Sequence, residues 1–502
     1  LDENILNKHL DTITKIQSKT LHQEFIKILS NIQLDEDNIP ENKVYLIIKK
    51  LYEVGEIEKA YNLVKKINLN KISKVENLNF FYFIELNYLY SSFRLSEVCE
   101  LKSTLIEKSI SLPKNLLEKT DIFCLTLENK YAEARLLNSL LLESEDEIDQ
   151  NFQNLFNYMI ISDQPDKVFE NLRNIKSNDL IFLYSAMLRI NELPLGEDFI
   201  EVDPLNLSIP VILSESTEMD IRIKAANNAY YDNVLSINSL SALYQSVDFN
   251  SRQFANPEQT IDSIKNDELK MAYYYQLASM QIFPDERLDV VIKYWNFAIE
   301  SGLEKIAYEI TEQIMKTFNP TSKNAEFAMQ IALANIANNN YDEALKWINL
   351  YEVSGLDIDS IDNAKFLIDI NRNNDLETIK NYFSKNYINF DKISNQHTLE
   401  SIDVLVNFLN VENISVKKIS YDNILDIRSM PSYFLIKDIN NNIDKNNDLS
   451  VFLLALISMN NKKWIELHPE HLKLILNSYN LYENGSLIKN IILEVLNELE
   501  VD

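Results

Sequence analysis

The sequence predicts an all-α fold built as an array of helical hairpins, and three observations carry that reading. Only 5 glycines and 11 prolines interrupt 502 residues, so long tracts run without a helix breaker. In those tracts apolar residues recur at i, i+3, i+4 and i+7 rather than in strict alternation. A weak internal repeat of helical-hairpin length runs through much of the chain. Glycine scarcity also excludes whole classes of chemistry. The closest pair, Gly302 and Gly355, is 53 positions apart. Dinucleotide folds, P-loops and kinase glycine loops need clustered Gly so that backbone N–H groups can close on a phosphate.

Composition bounds the rest. This length suits two to four globular domains or one extended repeat array. With 46% hydrophobic and 10% aromatic residues the chain is no disordered segment. Its 76 acidic against 48 basic residues give −28, which repels nucleic acid and anionic lipid alike. The acidic excess thickens at Leu34 to Asn38, at Glu143 to Asp149 and at the C-terminus. It reads as a solvated surface, with docking of basic partners as the alternative. The longest apolar stretch, Val451 to Met459, falls short of the roughly 18 residues a membrane span needs. A soluble protein without a membrane span is expected, in the cytoplasm or a bacterial periplasm. The chain starts at Leu1, so a trimmed N-terminal segment and any targeting signal in it are expected to precede it. Cys99 and Cys124 sit in apolar helical contexts. They read as buried free thiols acting as small hydrophobes, with a bridge between neighbouring helices as the alternative.

Taken in order, the first clear hairpin turn is Gly55-Glu56-Ile57-Glu58-Lys59-Ala60, a tight turn, an apolar residue opening a helix, and a small residue three positions on. Glu76 to Phe93 follows as a helix apolar on most sides, started by a Ser73-x-x-Glu76 capping box and leaving only Glu85 and Asn87 as a polar strip. Such a helix must lie between neighbours. Lys130-Tyr131-Ala132-Glu133-Ala134 repeats the turn pattern, and Asn340-Tyr341-Asp342-Glu343-Ala344 does so again. Ala325 to Ala337 is a helix whose alanines 325, 328 and 332 permit close approach. The segments Gly55 to Ala60, Lys130 to Ala134 and Asn340 to Ala344 resemble the middle of a tetratricopeptide repeat. Markers opening each second helix fall at Ile57, Leu95, Tyr131, Pro165, Tyr231, Leu269, Leu303, Tyr341 and Leu376, spaced 38, 36, 34, 66, 38, 34, 38 and 35 residues apart. Only Ala60, Ala134, Ala272 and Ala344 supply the family's small residue, while Val98, Val168, Val234, Ile306 and Ile379 replace it.

The resemblance, covering roughly Val44 to Ser384, implies a divergent, TPR-like α-solenoid, a right-handed superhelical array that binds peptides or subunits. The 66-residue gap spans Leu193 to Leu213, where Pro194, Pro204 and Pro210 cannot share one helix. The expected division is therefore 1–192 as an N-terminal hairpin array, 193–213 as a Pro-containing linker open to early proteolysis, 214–390 as a second array, and 391–502 as a C-terminal helical region. Within the last, Ile414 to Ser420 reads as a strand or extended linker, and Pro469 opens a capping hairpin with a turn at Glu483-Asn484-Gly485.

Candidate chemistry is sparse. His468 and His471 are three apart with Pro469 between them, whereas a zincin pair is four apart on an established helix. Asp444 to Asp448 opens like a calcium loop, but its sixth and twelfth positions are Leu449 and Ala455. Asp357, Asp359 and Asp362 are an equally incomplete oxygen set. The run Glu143 to Asp149 is the best enzyme clue, through Glu145, Asp146 and Asp149, because an all-helical diphosphate enzyme holds magnesium on such a helix. It lacks a double Asp and a basic clamp, and reads as a solvated turn between repeats. Aromatic clusters at Phe80 to Phe83, Tyr230-Tyr231 and Tyr273 to Tyr275 read as repeat core, with a groove lining as the alternative. The sequons at Asn206, Asn413 and Asn484 are what chance gives an Asn-rich chain.

No catalytic, cofactor-binding or metal-binding residue is therefore expected, no cofactor is implied, and the sequence names no binding residues. The function expected is a non-catalytic scaffold that binds protein or peptide, basic partners suiting its charge, and not nucleic acid. The alternatives are an all-helical metal-dependent enzyme and a structural spacer in a larger assembly.

Overall fold

A computed structural model describes residues 3–13, 16–31, 40–145, 147–160, 169, 172, 179–232, 234–355, 358–372, 376–384, 395–411, 428–480 and 485–499. Among these residues there are 29 α-helices, and 77% of the positions are helical. The one extended pairing among them is a single bridge between Ser429 and Leu467. The all-α prediction holds. Asn413, Asn484 and the segment Ile414 to Ser420 lie outside the described residues. The chain divides into two units, 33–277 and a terminal unit of 1–32 with 278–502. The N-terminal residues thus join the C-terminal ones, and neither break falls at the expected 193–213 or at 390.

Helices α1 (Glu3–His9) and α2 (Lys19–Ser30) belong to the terminal unit. The unit 33–277 opens with three antiparallel hairpins: α3 (Glu41–Glu53) with α4 (Ile57–Lys65), α5 (Val75–Ser91) with α6 (Leu95–Glu107), and α7 (Leu116–Leu127) with α8 (Tyr131–Ser144). Helix α5 is enclosed as its apolar circumference requires, by α3, α4 and α6 and by α10 (Ile181–Ile190), which follows α9 (Gln150–Ile160). Its start differs from the expected capping box. The Ser73 and Lys74 amides donate instead to the Glu41 carboxylate at 3.0 and 2.8 Å, so the acid that caps α5 comes from the preceding hairpin.

Residues 193–213 are not a bare linker. They form α11 (Glu197–Val202) and α12 (Ser208–Ile212) and bury Leu195, Phe199, Leu207 and Val211. The prolines keep these helices short, but shortness does not prevent burial. Asn206 Oδ1 accepts the Ile57 amide at 3.0 Å, capping α4, and its Nδ2 donates to the Tyr52 carbonyl at 3.2 Å. Leu205 lies so close over Gly55 that a Cβ there would meet it at 2.4 Å. The early proteolysis expected of this segment requires it to be free of such contacts. The unit continues through α13 (Met219–Tyr231), α14 (Ile237–Gln245), α15 (Ser251–Ala255), α16 (Pro257–Ser263) and the start of α17 (Asp267–Met280).

The terminal unit runs through α18 (Pro284–Glu300), α19 (Glu304–Ile310), α20 (Glu312–Met315), α21 (Ala328–Ala337), α22 (Tyr341–Val353), α23 (Ile358–Arg372), α24 (Leu376–Ser384), α25 (Gln396–Phe408), α26 (Tyr433–Asp444), α27 (Asp448–Met459), α28 (Pro469–Asn480) and α29 (Gly485–Glu498). Ala328 and Ala332 of the expected small-residue face are fully buried, and α21 packs on α22, while Ala325 is only partly buried and precedes α21 in a 3-10 turn. Helices α28 and α29 form the expected final hairpin. Glu494 of α29 then fastens the N-terminus, because its carboxylate accepts the Ser18 hydroxyl at 2.9 Å and the Lys19 and Thr20 amides at 2.9 and 3.1 Å.

Hairpin turns among the described residues repeat one closure, and five of them illustrate it. Gly55, Phe93, Asn129, Gly302 and Asn339 have φ of 91°, 58°, 60°, 67° and 60°. The next amide in each case bonds back to a carbonyl five residues earlier, from Glu56 to Leu51, Arg94 to Leu89, Lys130 to Leu125, Leu303 to Ala298 and Asn340 to Asn335, at 2.7 to 2.9 Å. This is the Schellman closure. It places the markers Ile57, Leu95, Tyr131 and Tyr341 as first residues of their helices and Leu303 as an N-cap. Leu376 also opens a helix. Tyr231 instead closes α13, because the cap of the following helix is Ser236, and Leu269 lies inside α17. Pro165 lies outside the described residues.

Cys99 and Cys124 are corrected from free thiols to a disulfide, with Cα atoms 5.6 Å apart, tying α6 to α7 across 25 positions. Burial alone could not decide between the two states, since α6 and α7 are antiparallel neighbours in which either a thiol pair or a bridge fits. Closing a loop of this length is expected to stabilise the unit by about 3 to 4 kcal/mol through the unfolded chain. A Cys99→Ala/Cys124→Ala variant should lose that much in urea unfolding, and denatured, unreduced protein should show no titratable thiol.

Candidate interaction surface

In the unit 33–277 the first helices of two hairpins, α3 and α5, are met by α10. Ile181 to Leu188 of α10 are all buried, and the helix packs on α5 and α9. Phe182 meets the Tyr52 ring of α3 at 6.4 Å. Arg189 donates to the Tyr90 and Ser91 carbonyls at 2.6 and 3.3 Å, and its guanidinium covers the Phe93 ring at 4.4 Å. Burial pushes the Arg189 pKa down to about 10, and a guanidinium still carries its charge at neutral pH. Here a cation bonds the last carbonyls of α5, where the helix dipole is negative.

The acidic run is occupied. Lys119 of α7, flanked in sequence by Glu118, Thr120 and Asp121, is 2% exposed and places Nζ 2.8 Å from Glu145 Oε1 and 3.0 Å from Asp149 Oδ2. Its third hydrogen bond goes to the Lys114 carbonyl at 3.0 Å. Asp149 also caps α9 through the Phe152 amide at 3.0 Å and accepts the Tyr184 hydroxyl at 2.9 and 2.8 Å. Burial, then the Asp149 charge, push the Tyr184 phenol far up, so it remains a donor. Glu145 and Asp149 are therefore partly buried partners of Lys119, while Glu143, Ser144, Glu147 and Ile148 are exposed as a solvated turn would be, and Asp146 lies outside the described residues. No group of three or more His, Cys, Asp or Glu able to hold a metal occurs among the described residues.

The histidines separate in role. His468 Nδ1 accepts the Glu470 amide at 3.2 Å at the start of α28. His471 is fully buried, donates from Nδ1 to the Ser429 carbonyl at 3.2 Å, and has Nε2 2.8 Å from Ser458 Oγ. Burial pushes its imidazole down to about 4. In the calcium-like segment, Asn447 Oδ1 accepts the Ser450 amide at 3.4 Å and caps α27. Asp362 is partly buried in α23, Asp357 lies outside the described residues, and the side chain of Asp359 is not described. The aromatic clusters are packing: Phe80 stands edge-on to Tyr45 at 5.2 Å, Tyr230 to Tyr231 at 5.7 Å, and Tyr273 against Phe249 at 5.1 Å. Asn206 is buried in the helix cap described above.

What the core leaves outside is more informative. Large apolar side chains are exposed on α8 at Leu136 and Leu140, around the start of α26 at Met430, Tyr433 and Phe434, and at the last residue of α17, Met280, with Ile282 and Phe283 in the turn before α18. Ile282 is 80% exposed and Phe283 63%. Sequence reading passed over this turn, although an apolar stretch ahead of Pro284 and Asp285, where a turn is normally polar, was the available signal. No helix among the described residues is long and apolar enough to cross a membrane. No family model, no curated protein and no solved structure matches the chain.

Two outcomes are expected. Lys119→Met strands two buried carboxylates and should cost about 3 to 5 kcal/mol in chemical denaturation, much of it regained in Lys119→Met/Glu145→Gln/Asp149→Asn. For His471 the unfolded state takes its proton first as the pH falls. Stability is therefore full above about 6.5, declines by about 3 kcal/mol as the pH approaches 4, and levels off below. Urea midpoints across that range should show the decline, and His471→Gln should remove that share of it.

Proposed function

We propose that this chain is a non-catalytic protein-binding scaffold whose hairpins form a divergent TPR-like solenoid. One observation carries the reading: three short groups of large apolar residues, at Leu136 and Leu140, at Met280, Ile282 and Phe283, and at Met430, Tyr433 and Phe434, are exposed, while Glu145, Asp149, His468 and His471 are engaged in ion pairs, caps and hydrogen bonds. Apolar groups left in water favour a partner that covers them. The electrostatics favour a basic protein or peptide over nucleic acid, since −28 charges repel a phosphate backbone. The disulfide favours an oxidising compartment over the cytoplasm.

The metal-dependent enzyme is the second reading, kept for the acidic run, and it is opposed by the ammonium already seated between Glu145 and Asp149. Magnesium, manganese or zinc ions should leave the melting temperature unchanged; a saturable upward shift would favour the enzyme. A passive spacer would leave the exposed groups without an occupant.

Partners isolated from the native source and then purified provide the main test. Their association rate should fall steeply as salt rises from about 0.05 to 0.5 M, because screening shortens from roughly 14 to 4 Å over that range. A rate indifferent to salt would remove the electrostatic part of the reading.

A further inference from the structure

We propose that the turn Met280 to Phe283 is a preformed anchor that inserts into an apolar cleft with a basic rim on a partner protein; the proposal rests on the scaffold reading above. Met280, Ile282 and Phe283 are 57%, 80% and 63% exposed, an apolar group where a turn ordinarily carries polar residues. Its shape is held from within. The Arg287 guanidinium donates through Nε to the Gln281 carbonyl at 2.8 Å and through Nη2 to the same oxygen, while Nη1 reaches Thr317 Oγ1 at 3.3 Å. Phe283 is extended at φ −85° and ψ 130°, Pro284 follows as the first residue of α18, and the Arg287 amide bonds to the Phe283 carbonyl at 2.9 Å. A turn fixed before binding loses little further entropy on docking. Met and Phe are also enriched in interface cores.

Charge selects the occupant. Asp285 and Glu286 follow the tip directly and are exposed. Asp289 is exposed too, with Lys293 at 3.0 Å. The Arg287 cation is turned inward onto the Gln281 carbonyl, and Lys293 pairs with Asp289 and Lys316 with Glu312. A cleft receiving Ile282 and Phe283 therefore meets carboxylates at its edge, and Lys or Arg on the rim would answer them. A second copy is disfavoured, because it would bring the same carboxylates and another −28 charges to the contact.

The test begins with p-benzoylphenylalanine at position 282 of the full chain in its native source, photo-crosslinking, and identification of the joined peptide. The purified partner is then titrated against the native chain, Phe283→Ser, Asp285→Asn/Glu286→Gln and Arg287→Gln. The joined peptide should carry apolar residues flanked by Lys or Arg. Phe283→Ser should weaken binding by about 30-fold or more at an unchanged melting temperature. The double amide variant should slow association, and Arg287→Gln should weaken binding with the tip residues intact. A partner that binds Phe283→Ser as well as the native chain would overturn the anchor and leave the scaffold reading standing. So would crosslinks confined to the chain itself or to a second copy. A native chain that binds none of the proteins isolated with it would overturn both.

Discussion

The tight Schellman turns of this chain each place one residue at positive φ, and a chain with 5 glycines fills several of those positions with other residues. Non-Gly residues bear roughly 1 kcal/mol of strain there, so each such turn needs either a tolerant residue or a neighbour that holds it. Asn129 and Asn339 are the tolerant kind. Phe93 is held, its ring lying under the Arg189 guanidinium. Gly55 provides relief of another sort, since its missing side chain is the space into which Leu205 packs. Two turns at one end of the unit 33–277 are thereby bound to the segment 189–206, and the placement of α10 to α12 follows from them.

That dependence separates what sequence displays from what it conceals. Turn and second helix are local, so Ile57, Leu95, Tyr131, Tyr341 and Leu376 announced themselves through spacing alone. Tyr231 misled because aromatic residues close helices as readily as they open them, and the deciding signal was the small Ser236 cap. The long-range partners left no trace in any window. Glu41 caps a helix 33 residues later, and Asn206 caps one 149 residues earlier. The prolines near residue 200 announced short helices correctly, yet carried nothing about burial.

The candidate site follows the same rule. The acidic run was plain as composition, but its meaning depended on Lys119 of an earlier helix, a cation whose nearest acids in sequence are Glu118 and Asp121. Three buried charges bring their own cost, because a lysine and two carboxylates must surrender water together. Hydrogen bonds from Asn115, Tyr184 and the Phe152 amide supply part of what water gave. Such a cluster adds little net stability but penalises any packing in which one member is displaced. The exposed tip before α18 was hidden for the opposite reason, since apolar sequence is ordinarily evidence of interior.

Helix α10 changes the kind of object the unit 33–277 is. A row of repeats in which each touches only its neighbours can fray from either end, and its stability is a sum over links. Here α10 packs on α5 and α9, and its Phe182 ring meets Tyr52 of α3, so that three helices share one neighbour. Opening one hairpin withdraws support from α10 and through it from the others, which gathers their hydrogen exchange into one cooperative block rather than a gradient from the ends.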